Sequence, residues 1–80
     1  SDPALSPVEQ IPQTIVRALD SVEEAFEDGE LNPETLRLIM VAAGVTVGIG
    51  GTYQFNRLLT ALEEGDDAEA YQYLIGYSER

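Results

Sequence analysis

The run Glu63-Glu64-Gly65-Asp66-Asp67-Ala68-Glu69 places five carboxylates in seven positions. Carboxylates can hold hard cations such as Mg²⁺ or Ca²⁺, and a matched pair can act as acid and base. Both tasks need convergent partners as well as charge density. The chain has no histidine and no cysteine. That removes the commonest general base, the thiolate nucleophile and the soft-metal ligands. Ser1, Ser6, Ser21 and Ser78 have no imidazole to activate them. A glycosidase-type carboxylate pair needs a cleft and an aromatic platform, for which 80 residues leave little room. The run therefore reads as a solvated turn whose aspartates favour the N-terminus of the next helix. No catalytic residue and no metal site are expected.

Two further stretches fail on closer chemistry. Asp28-Gly29-Glu30-Leu31, within "EDGELNPETL", resembles half of a calcium-binding EF-hand loop. With Gly29 at loop position 6, Phe26 and Thr35 fall where oxygen ligands, the last a bidentate Glu, belong. Phe26 cannot ligate, so the segment reads as one helix stopping at Gly29 and another starting at Asn32-Pro33. "GVTVGIGG" at 44–51 lacks the Lys and Ser/Thr of a phosphate-cradling P-loop. It also lacks the spacing of a dinucleotide loop, so no cofactor is expected.

Charge narrows the partners. Fifteen acidic residues face four basic ones, all arginine (Arg17, Arg37, Arg57, Arg80), for a formal charge of −11. Such a chain repels phosphate, which argues against nucleic acid and anionic lipid. The acidity suits a soluble surface, adaptation to a high-salt (halophilic) setting, or a basic partner. Apolar residues make up 44% of the chain, too many for a disordered tail. A chain this short buries a small core, and with no cysteine to staple it, association is the remaining remedy.

The elements that would position these residues follow from periodicity and caps. Residues 1–80 read as a single small acidic helical domain, with 1–5 frayed. Ser6, Pro7 and Glu9 form a capping box, but Pro12 delays the first main helix to about 12–28. Its apolar stripe is Ile15, Leu19, Val22 and Phe26, spaced by four, three and four. Asn32-Pro33-Glu34 starts a second helix, and Gly65 and Asp66-Asp67 separate it from a third at 67–78. Tyr71, Leu74, Ile75 and Tyr77 are expected on the inner side of that last helix. Its three tyrosines, Tyr71, Tyr73 and Tyr77, have spacings that leave at least one exposed in a monomer.

The apolar run 38–56 decides the function class. Val45–Val47 and Thr52–Phe55 could pair as a β-hairpin at 45–55, but a lone ribbon is marginal. The alternative is one long central helix at 33–64, in which Gly44, Gly48 and Gly51 share a face and admit another backbone closely. The expectation is all-α: three helices in all, the central one long, largely buried and glycine-containing. Function then follows as a non-catalytic structural subunit that self-associates or docks in a virion, filament or multi-subunit particle. Gly44, Gly48, Gly51, Ile15, Leu19, Val22, Phe26 and Tyr71 would supply the packing surfaces. The expected location is cytoplasmic or virion-associated; the apolar run is central, so no signal peptide is expected. The competing expectation is an accessory subunit anchored in a membrane by residues 38–56, an uncharged stretch near bilayer length.

Overall fold

The computed structural model describes residues 11–48 and 51–78, so the capping box at Ser6 and the frayed end at 1–5 lie outside the described residues. The described residues are all-helical, with no strand: α1 Gln13–Glu27, α2 Pro33–Ala42, α3 Thr52–Glu64 and α4 Asp67–Tyr77. The all-α expectation holds, but with four helices among those residues rather than three. The central helix expected at 33–64 is two helices, α2 and α3, joined through 43–51. The hairpin at 45–55 is likewise replaced, because Thr52 to Phe55 lie in the first turn of α3.

The break occurs at Gly44. Its φ of +89° is left-handed backbone, which costs a side-chain-bearing residue about 1–2 kcal/mol. The Val45 N–H donates to the Met40 carbonyl (2.9 Å) and the Gly44 N–H to the Val41 carbonyl (2.9 Å). These two bonds form a Schellman closure, which satisfies carbonyls that a helix end would otherwise leave bare. Val45 follows and packs half-buried on the core, the apolar contact that accompanies this motif. The same pair of bonds closes α1 at Gly29 and α3 at Gly65, both named as stops by the sequence.

Starts are as local as stops. The Asn32 side chain accepts from the Thr35 N–H at 2.8 Å, and Pro33 occupies the first helical position of α2. Asp66 accepts from the Glu69 N–H at 3.1 Å and begins α4. Asn32→Ala removes the α2 cap and is expected to cost about 1 kcal/mol. Urea unfolding followed by circular dichroism checks this: the midpoint should fall while the slope stays constant.

The core forms where the helices face each other. α1 packs on α2 and on α4, and α4 also packs along α3. Ile15, Leu19 and Val22 are buried on α1, Leu36 and Met40 on α2, Phe55 and Leu58 on α3, and Leu74 and Tyr77 on α4. Ala18, Ala61 and Ala70 are fully buried small residues that let the axes approach. Near the end of α4, Gly76 leaves room for the Gln54 side chain, whose amide donates to the Tyr73 carbonyl at 3.4 Å. The loop after α2 also serves the core: Val45 and Val47 pack against it, and the Gly48 N–H donates to the Tyr77 carbonyl at 3.2 Å. This gives part of the uncharged run a use that involves no lipid. Among the described residues no helix is long and apolar enough to cross a membrane. The single-span reading of 38–56 required one continuous helix, and the closure at Gly44 divides it.

Candidate functional site

Two polar constellations arise from this packing. The first joins α3 to α4. Arg57 Nε donates to the Tyr73 hydroxyl at 3.0 Å, and that hydroxyl donates to Glu69 Oε2 at 3.3 Å. The Arg57 guanidinium carbon lies 5.6 Å from the Tyr73 ring centroid, and its Nη2 lies 3.8 Å from Glu69. This is the one salt bridge among the described residues, and its partners are 45% and 36% exposed. Exposure of that order leaves an ion pair well screened by solvent, so the cluster serves to align α3 with α4 more than to stabilise them.

The second constellation is an open cleft of about 270 Å³ where α1 meets the α3–α4 corner. Glu23, Phe26 and Glu27 line it from α1, Leu62 and Gly65 from the end of α3, and Asp67 from the start of α4. Glu23 and Glu27 are one helical turn apart, so both carboxylates reach the same opening. Asp67 faces them because Gly65 and Asp66 turn the chain back at once. Among the described residues no basic side chain lines the cleft.

Partial burial, first, and then a hydrogen bond to Asp67 push the Glu23 carboxyl up to about 6 from the ordinary 4.5. The negative charges of Asp67, Asp20 and Glu27 act in the same direction. The Tyr71 hydroxyl is also raised, by burial first and then by Asp67, Asp20 and Glu23. A raised carboxyl means that the folded chain keeps a proton which the unfolded chain releases. The associated stability is fully present below about 4.5 and is lost as pH rises through about 6. Solvent in an open cleft screens the effect, to below about 1 kcal/mol. The cleft can therefore bind and release a proton in mildly acidic solution. Among the described residues, no group of three or more acidic side chains is arranged to hold a metal ion.

Comparison with protein-family models, with characterised proteins and with solved structures finds no match to this chain. Its function must therefore be read from its own residues.

The structure redistributes the residues singled out by sequence. Ile15, Leu19 and Val22 are buried within the chain itself, and Phe26 is half-buried at the cleft. Tyr71 is half-buried against the core. Gly44, Gly48 and Gly51 do not share a helix face: Gly44 closes α2, Gly48 lies in the loop and Gly51 precedes α3. Among the tyrosines, Tyr77 is buried, Tyr71 and Tyr73 are half-buried, and Tyr53 is 72% exposed. Ile75, placed on the inner side of α4 by sequence, is 42% exposed.

Two features escaped the sequence reading. One is the Glu23–Asp67 pair, which joins residues far apart in the chain. The other is the outward face of α2, where Leu38 is 67% and Val41 58% exposed. Their spacing of three was a usable signal for the second. Leu36 and Met40 already fill the inner face, so Leu38 and Val41 must point elsewhere.

Proposed function

We propose that this chain is a non-catalytic assembly subunit that pairs with further copies of itself through the outward face of α2. The observation that carries the reading is the exposure of Leu38 and Val41, large apolar side chains one helical turn apart. Each exposed aliphatic of this size gains roughly 1–2 kcal/mol when covered. A second copy is the occupant favoured by local charge. Glu34, Arg37, Leu38 and Val41 follow one another along the same helix face, so the stripe carries one charge of each sign in a chain of net charge −11. Two copies can approach there with less repulsion than elsewhere. The role is held by packing, with no cofactor.

Molar mass by light scattering, across protein concentration in 0.1 M and 2 M salt, tests this. Association should strengthen with salt, because screening relieves the repulsion between acidic copies. Leu38→Gln combined with Val41→Thr should weaken it by about ten-fold or more while leaving the helical spectrum unchanged. A chain that stays monomeric in both salts up to millimolar concentration, or associates equally well with both substitutions, would overturn the proposal.

A further inference from the structure

We propose that the cleft between α1 and the α3–α4 corner is a proton-operated latch, closed when Glu23 and Asp67 share one proton and loosened when that proton leaves. The inference rests on what lines the cleft. Glu23 and Glu27 from α1 meet Asp67 from α4, and among the described residues no cation lines the cleft. A protonated Glu23 carboxyl donates to the Asp67 carboxylate, and this shared proton converts a repulsive approach into a bond across the helix interface. The other titratable groups facing the pair reinforce the effect. Asp20 and Glu27 on α1 add negative charge, and Tyr71 on α4 is held neutral to higher pH by the same surroundings. From α3 the lining residues are Leu62 and Gly65, which offer no compensating charge.

Loss of the proton leaves Glu23, Glu27 and Asp67 all ionised around one opening. Repulsion then acts on the corner at Gly65–Asp67, the short connection between α3 and α4. That corner carries the start of α4, while the far half of α4 stays anchored by Leu74 and Tyr77 in the core. The expected motion is therefore a local loosening of the first turn of α4, with the rest of the bundle intact.

The experiment is a pH titration of the intact chain by NMR between pH 4 and pH 8. The Glu23 side-chain carboxyl resonance is followed together with amide exchange, corrected for the intrinsic pH dependence of exchange. Glu23 should titrate near pH 6. Protection of the Ala70 and Tyr71 amides should fall by about two- to five-fold across that transition, while the α2 amides stay constant. Glu23→Gln keeps a neutral donor at every pH and should remove the change; Asp67→Asn should lower the Glu23 titration toward its ordinary range. Titration of Glu23 near 4.5 in the unaltered chain, or an unchanged exchange profile across pH 6, overturns the latch without requiring any variant to fold. Persistence of the change in Glu23→Gln overturns it as well.

Discussion

Leu74→Ala is expected to destabilise the chain by about 3–5 kcal/mol and to lower its melting temperature by more than about 12 °C. Leu74 has no exposed surface and sits on α4, the helix that packs against both α1 and α3. Truncation there removes the transfer free energy of the lost carbons and leaves a cavity that two neighbours must collapse to fill. The surrounding helices relax only in part into such a space, so collapse is incomplete. A chain of 80 residues has a total stability of roughly 4–12 kcal/mol. The substitution thus removes a large share of it, in the limit all of it. Ile75→Ala provides the control, because Ile75 is 42% exposed on the same helix and its truncation should cost about 1 kcal/mol or less. Urea titrations of both variants measure the contrast. Equal costs at the two positions would mean that α4 is rotated about its axis relative to the placement described.

That rotation is one thing periodicity alone did not resolve. On α4, Tyr71, Leu74, Ile75 and Tyr77 span too wide an arc for all four to face inward, and the helix has neighbours on two sides. Where an element has a single narrow apolar stripe, the reading from sequence is sharper. Ile15, Leu19 and Val22 were assigned to the inner face of α1, and all three are at most 2% exposed. The stops and starts at Gly29, Asn32-Pro33, Gly65 and Asp66 were also legible. Each depends on a residue acting on backbone within three or four positions of itself.

The two main misses have different physical origins. Gly44 has two competing uses, as a gap in a packed helix face or as a left-handed terminator, and composition is the same for both. The choice is settled by Val45 and Val47. Ending the helix lets these two valines fold back on the core; continuing it would carry them away. This is a tertiary gain, absent from any local window. The Glu23–Asp67 pair is non-local from the outset, since neither carboxylate differs in sequence from the solvated acids beside it. Its proximity follows from α1 packing on α4, two helices whose buried residues, among them Leu19, Val22, Ala70 and Leu74, include none of the acids.

Gly44→Ala separates the two uses of that glycine by the sign of its effect. In a continuous helix the substitution would add about 1 kcal/mol of stability, because alanine is the better helix former. With φ at +89° it must instead place a Cβ in left-handed backbone, at a cost of about 1–2 kcal/mol. Crowding is not the cause: the nearest atom to such a Cβ is Thr14 Cγ2 at 3.9 Å, an ordinary contact. The penalty is therefore conformational and should be largely independent of side-chain size among unbranched residues. Gly44→Asn should recover part of it, since asparagine tolerates this region better than alanine. Gly44→Val should be the worst of the three, as a branched Cβ is least compatible with positive φ. The same urea titration measures all three. The order Gly, Asn, Ala, Val from most to least stable is the signature of a closed helix end at this position. Alanine more stable than glycine would rejoin α2 to α3 and restore a rod long enough to reopen the question of what surrounds it.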